Sequence, residues 1–449
     1  MNAPLLHRGP AMTPVADSET HPNVVDVAIV GGGIIGVSAA FFLARQGIRV
    51  ALLEKGEIGG EQSGRNWGWV RLAGRDLREL PLMLQSHAIW DTLRQETGVD
   101  VGYRRRGIVY AAKTPEARDR HQRWALAARG FGIDARILDP AQVAGFVRDL
   151  NRTVLGGLHV LEDAGAEPQL AAPAIACAAQ AAGAILLQQC AVRGLDIEAG
   201  RVSGVVTEKG RIRASTVIVA GGAWSSHFLS RHGVRLPQLK VLSSVLRTAP
   251  VDAGIETTMG FSDFAIRKRL DGGFTVASSA TSLADIVPDS FRFFRQFMPA
   301  FRLERKSLKL RFGRPFFDEL VEYRHRGLDK ESIYETIRVL DPTPDLDLLA
   351  RVEAHLKVGI PAFRDVPILQ KWGGMIDTMP DVIPVISKVE ALPGLVISTG
   401  FSGHGFGIGP GAGRLLSEIV TDRTPCVDPT PFRFSRFSDG SPIEIQSWL

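Results

Sequence analysis

Residues Val24 to Glu54 read VVDVAIVGGGIIGVSAAFFLARQGIRVALLE. A β-branched run, Val24–Val30, enters a glycine turn, an apolar stretch of helical character follows from Ile34 to about Gln46, Gly47 stops it, and a second apolar run reaches Glu54. This order predicts one βαβ unit with the dinucleotide fingerprint inside it. Gly31 permits the tight turn, Gly33 lets the backbone approach a pyrophosphate, and Gly36 lets helix and strand pack closely. The pyrophosphate would sit on the helix N-terminus, where amide N–H groups and the helix dipole favour an anion. Glu54 ends the second strand, about 20 residues beyond the turn. There its carboxylate can accept from both ribose hydroxyls of an adenosine and would repel a 2′-phosphate. A glycine turn alone joins many strands to helices. Strand, turn, helix, second strand and terminal acid in one register make this a nucleotide site.

The chain has 449 residues, enough for two domain-sized cores. With 45% hydrophobic and 22% charged residues it belongs to the globular class. A net charge of +5 favours anionic substrates slightly. No basic run interleaved with aromatics follows a nucleic-acid module, so no nucleic-acid partner is expected. Cys177, Cys190 and Cys426 show no metal-ligand spacing. Neither a metal site nor a disulfide framework is expected, which fits a reducing cytoplasm. Residues 1–22 lack an apolar core of signal-peptide length and read as a flexible tail. No later apolar run reaches the about 18 residues that would cross a bilayer.

Along the chain, Gly56 to Gly68 are too rich in glycine and polar residues for a regular element, so a long irregular loop should carry Trp67, Trp69 and Arg71. Residues 99–112 alternate like strands, and a charged helix should follow from Thr114 to Ala128. An alanine-rich helix from Pro168 to Ala182 leads to a strand through Leu187. A hairpin, Val202–Thr207 with Ile212–Ala214, precedes a separate buried strand, Thr216–Ala220, that runs into Gly221 and Gly222. Val241 to Ala280 alternates in β fashion around a turn at Asp271-Gly272-Gly273. Phe291, Phe294, Met298 and Phe301 then recur at helical spacing among arginines. This stripe reads either as core with a solvated outer face or as a basic amphipathic contact with a membrane surface, with Pro299 interrupting it. Trp372–Ser387 reads as a turn-rich link. Gly394–Thr399 is a strand, Gly400–Gly413 a glycine loop, and Arg414–Val420 the continuation of a helix, again presenting a helix N-terminus to a negative group.

Four stretches beyond the opening fingerprint are specific: SGRNWGWVR (Ser63–Arg71), IVAGGAWS (Ile218–Ser225), WGGMIDTMPDVIPVIS (Trp372–Ser387) and GFSGHGFGIGPGAG (Gly400–Gly413). Together they resemble the FAD-dependent D-amino acid oxidase and dehydrogenase superfamily, which also holds sarcosine and glycine oxidases, over about Val24 to Val420. The resemblance implies an α/β fold: a discontinuous Rossmann-type FAD-binding domain (23–98, 156–235 and 366–425) with an inserted α+β substrate domain (99–155 and 236–365) on a mainly antiparallel sheet. Residues 426–449 would be a C-terminal extension. It implies that Gly31, Gly33 and Gly36 contact the pyrophosphate, Glu54 the ribose, Ser63 the pyrophosphate turn, and Val192, Ala220 and Gly221 the adenine side. Gly403, His404, Gly405 and Gly407 would lie beside the flavin ring. The arginine eight residues beyond the loop serine holds the substrate carboxylate in sarcosine-oxidase-like members, and here it is Arg71.

The chain departs from the family where amino acid dehydrogenases carry an arginine in a W-x-G-x-R pattern; Ile376 stands there. No histidine or cysteine occupies a position for covalent attachment, so the FAD should be held non-covalently. The implied reaction is hydride transfer from an amino acid or carboxylated secondary amine, with Arg71 as clamp, Trp69 as pocket wall and His404 beside the reduced ring. Electrons would pass to oxygen, a quinone or a protein. A flavin monooxygenase and a non-catalytic flavin-binding subunit of a larger dehydrogenase remain alternatives on sequence.

Overall fold

In the computed structural model, which describes residues 8–279, 282–305, 307–323, 327–446 and 448, the opening unit forms as its pattern predicts: strand Val24–Val30, helix Ile34–Ala44 and strand Val50–Leu53. Ten of the helix's 11 residues are buried, which is why it is apolar on every side. It is covered by the helices Pro168–Ala181 and Gly405–Val420. A Cβ at Gly413 would lie 2.3 Å from Ser38 Cβ, and one at Gly409 2.8 Å from an Ile34 methyl, so glycine lets the first and last helices touch.

The first strand pairs in parallel with Val50–Leu53 on one side and Gly210–Val219 on the other. Ile185–Leu187 extends the sheet beyond Val50–Leu53, and Leu395–Thr399 lies parallel to the end of Gly210–Val219. The expected hairpin arm and the expected buried strand are a single ten-residue strand, Gly210–Val219. Its first half pairs antiparallel with Arg201–Thr207 and its second half joins the parallel sheet. Nothing in its period marks the change, because both halves are extended.

A second sheet of ten strands is mainly antiparallel; Thr258–Gly260 with Ile108–Ala111 and Ser282–Asp285 with Leu308–Arg311 are its parallel pairs. Two expected boundaries shift. Gly157–Val160 bonds to Ile108–Ala111 and to Ala135–Leu138, so this sheet runs past 156. Trp372–Thr378, the start of the expected turn-rich link, belongs to an 11-residue strand, Ile368–Thr378, paired along Leu239–Thr248, so the sheet also takes in 368–378. Gly373 within this strand is required by close approach, because a Cβ there would strike the Pro342 carbonyl at 2.5 Å.

Two further expectations are corrected. The tail is packed from Gly9 onward: Met12 is buried against Gly59 and Gly64, Thr13 N donates to Gln169 O and Ser18 N to Leu186 O; residues 1–7 lie outside the described residues. The aromatic stripe is not core. The helix Phe294–Glu304 runs through Pro299 and buries none of its residues, while Phe291, Phe294, Phe301, Phe312 and Phe317 are exposed. Among the described residues, no helix is long and apolar enough to cross a membrane.

Candidate active site

A cavity of about 820 Å³ opens between the two sheets and reaches from the first glycine turn to the aromatic segment. At its nucleotide end the backbone is bare. Gly31 has φ +110°, and a Cβ there would sit 2.4 Å from Ala220 O, so the turns that end the two central strands abut. A Cβ at Gly33 would meet only Ser63 Oγ at 3.1 Å, and that hydroxyl accepts from Ile34 N at 2.9 Å. Ser63 therefore caps the first helix from a distant loop, on the short helix Gln62–Arg65 that forms where no regular element was expected. Gly31, Gly33, Ser63, Val192, Ala220 and Gly221 all line the cavity. Gly36 does not: its Cα hydrogens face Gly31 O, 2.0 Å from where a Cβ would be, so its task is packing.

Glu54 also lines the cavity, with Oε2 accepting from Gly32 N and Oε1 from Gly56 N, both at 2.7 Å. Burial raises its pKa, while Lys55 and the two amides pull the other way. Each oxygen keeps acceptor capacity for a ribose hydroxyl. Sequence reasoning missed a segment that crosses this end. Lys55 Nζ donates to Glu61 at 2.6 Å and to the carbonyls of Ile337 and Arg338 at 2.7 and 3.0 Å. Arg338 pairs with Glu208 and Arg193 with Glu335, and Tyr334, Arg338 and Val339 line the cavity.

At the other end, Asp377 holds the closing loop by accepting from Gly400 N at 2.7 Å and Thr399 Oγ1 at 3.1 Å. Ser402 and Gly403 turn the chain in the left-handed region, φ 50° and 83°, and His404 N returns to Phe401 O at 2.7 Å. Gly403, His404 and Gly405 thereby line the cavity. Gly407 is the exception. Its carbonyl accepts from Ser86 Oγ and Trp90 Nε1 at 2.7 and 2.8 Å, so it faces the helix Leu80–Thr97. His404 Nδ1 stands 3.4 Å from the buried carboxylate of Glu79. Burial lowers the imidazole pKa against the opposing pull of Glu79.

Arg71 lines the cavity with Trp67, Trp69 and Tyr110, and Trp69 meets both Trp67 and Tyr110 edge to face. Arg71 Nη1 donates to Ala73 O, and among the described residues no carboxylate forms an ion pair with it. The neighbouring arginines are taken. Arg65, 6% exposed, pairs with Asp341 and donates to the carbonyls of Gly60 and Gly373. Arg78 pairs with Asp76, and Arg75 with Glu79. Behind the loop, Asp163 accepts from Leu72 N and Ala73 N; burial pushes its pKa up to about 7 against those bonds and the nearby arginines. Ile376, at the family's arginine position, lies in the lining. Of the groups found only by the structure, Arg75 and Glu79 had a legible signal, an opposite-charge pair at i, i+4 spacing. Tyr110 and Asp163 had none.

The family profile described as DAO, FAD dependent oxidoreductase, matches residues 26–419. The chain is 27% identical to sarcosine oxidase subunit beta of Rhizobium meliloti (strain 1021), over 93% of this chain and 90% of that one. It is 26% identical to glycine oxidase of Pseudomonas aeruginosa, over 90% and 97%. The structure of L-amino acid deaminase from Proteus myxofaciens in complex with anthranilate superposes with a TM-score of 0.92 at 31% identity, covering 97% of this chain and 98% of that one. The donor set fits FAD on its own terms: bare backbone at Gly31 and Gly33, a helix N-terminus, and a carboxylate with spare acceptors in one cavity.

Proposed function

Because the chain belongs to the family of FAD-dependent oxidoreductases, we propose that it oxidises the C–N bond of a carboxylated amine, either an amino acid or an N-alkyl amino acid. When bound, FAD supplies a hydride acceptor at N5, and the resulting imine hydrolyses in water. The observation that carries the reading is Arg71, a cation at the cavity wall that forms no ion pair with an acid among the described residues, while Arg65, Arg75 and Arg78 are paired. An arginine left in this state suits a carboxylate brought by a ligand, which its fork can hold with two hydrogen bonds.

The remaining roles follow from position. Gly31, Gly33 and the first helix would hold the pyrophosphate, Glu54 the adenosine ribose, and Val192, Ala220 and Gly221 the adenine side. Trp69, braced between Trp67 and Tyr110, would limit the pocket and shed water from it. His404, neutral at pH 7 because burial lowers its pKa, would sit beside the ring as a hydrogen-bonding group at Nε2, with Nδ1 turned to Glu79. Gly403 and Gly405 would leave room for the ring. Attachment is non-covalent: none of the three cysteines lines the cavity, and His404 is the one histidine in its lining among the described residues. The exposed phenylalanines interleaved with arginines beside the mouth support peripheral contact with a membrane surface.

Anaerobic titration of the purified protein with a panel of amino acids, N-methyl amino acids and their decarboxylated counterparts tests the reading. Bleaching of the visible flavin band should occur with carboxylated members and fail with the decarboxylated ones. Bleaching by a reduced nicotinamide dinucleotide alone would favour a monooxygenase instead.

A further inference from the structure

Arg75 has no part in the chemistry as assigned above, yet its guanidinium is 1% exposed and touches both arms of the site. Nε donates to the carbonyl of Arg71 at 2.8 Å. Nη2 donates to the carbonyl of His404 at 2.9 Å, across 329 positions of chain. Nη1 lies 3.4 Å from Glu79 Oε1, and the other oxygen of Glu79 lies 3.4 Å from His404 Nδ1. The backbone of Arg75 is itself fixed, its N–H donating to Leu72 O at 3.1 Å and its carbonyl accepting from Trp124 Nε1 at 2.9 Å.

A guanidinium is costly to bury unless its charge is matched and its donors are placed. The core could satisfy it with any carbonyls. Here two of its nitrogens go to the backbone of the two residues whose side chains face the cavity from opposite ends of the sequence. Each carbonyl belongs to the residue whose side chain must be aimed, and the fork joining them is planar and rigid. An ammonium at this position could bond one carbonyl firmly but not reproduce the two fixed directions.

We propose that Arg75 is a positioning residue that fixes the carboxylate clamp, Arg71, relative to the imidazole of His404 by holding both backbones in one fork. The proposal rests on Arg71 binding the substrate carboxylate. A positioning role of this kind predicts a loss confined to ligands that use the carboxylate.

The test compares benzoate with benzamide, which has the same ring and no charge, as ligands of the FAD-loaded protein, read from the perturbation of the visible flavin spectrum. Arg75→Lys should raise the Kd of benzoate about tenfold and that of benzamide less than about twofold, a coupling typical of residues in one network. FAD occupancy should stay at the wild-type level. If both ligands weaken by the same factor, or neither does, Arg75 is only a structural brace and the proposal is overturned. Should Arg75→Lys not yield folded holoenzyme, the double variant Arg75→Gln/Glu79→Gln, which removes both buried charges together, is judged by the same ratio. Arg71→Ala separates the two readings. If it leaves the preference for benzoate intact, the clamp assignment itself fails; if it abolishes the preference while Arg75→Lys does not change it, the positioning role alone fails.

Discussion

Replacing Arg71 with alanine should raise the KM for a carboxylated amine about 100-fold and leave FAD content unchanged. Removing one partner of a desolvated ion pair costs about 3 to 5 kcal/mol. Arg71 is only partly buried, in a cavity that opens to solvent, so the low end applies, and about 3 kcal/mol corresponds to a factor on the order of 100. The flavin should be retained, because among the described residues the Arg71 side chain donates its one hydrogen bond to Ala73 O in its own loop. Arg71→Lys should recover part of the loss, since a point charge attracts the carboxylate without matching the guanidinium geometry. Arg65→Ala is the control. Its partners are Asp341 and the carbonyls of Gly60 and Gly373, so its loss should appear in thermal stability and flavin retention, with little change in KM. Steady-state kinetics on a carboxylated amine and its decarboxylated analogue, with flavin occupancy from visible absorbance, measure all of this. Normal turnover in Arg71→Ala beside a selective loss of the carboxylated substrate in Arg65→Ala would refute the assignment.

Other consequences can be checked directly. Gly33→Val and Glu54→Ala should each lower flavin retention after desalting, the first by filling the pyrophosphate space beside Ser63 Oγ and the second by removing the ribose acceptor; full occupancy in both would contradict the placement. Acid precipitation should release the flavin, and a yellow pellet would show covalent attachment. Arg338→Ala should speed FAD dissociation, because it unpins from Glu208 the segment that crosses the nucleotide end, and fluorescence recovery of released flavin measures the rate. Burial holds the His404 pKa below its ordinary value and Glu79 pulls it up, so Glu79→Gln should move any histidine limb of the kcat–pH profile to lower pH; a limb that stays or moves upward contradicts the pairing.

The opening glycine turn was legible because its constraints are local. Gly31, Gly33 and Gly36 act within one strand, turn and helix, and a Cβ at either end of that triplet would strike backbone a few residues away or on the next strand. The same logic misled at Gly407. Its surroundings, the helix Leu80–Thr97 and the indole of Trp90, come from a part of the chain that no spacing connects to it. Glycine in a loop before a helix reads alike whether a phosphate or another helix approaches. Of the glycines in the closing run, Gly403, which turns the chain, and Gly405, which opens the helix, line the cavity.

The aromatic segment failed for a different reason. Its periodicity correctly announced a helix, but periodicity says that one face differs from the other and nothing about what covers the apolar one. In the fold nothing among the described residues covers that face fully: Phe294 and Phe301 remain exposed while also lining the outer cavity. Charge shows the same limit. Arg65 and Arg71 stand six positions apart in one loop with nothing in the sequence to separate them, and the difference lies in Asp341, supplied from 276 positions beyond Arg65. That acid reaches one arginine and leaves the other facing the cavity. That allocation, made by a residue hundreds of positions away, leaves one loop arginine paired and the other at the cavity wall, which is the arrangement the proposed clamp requires.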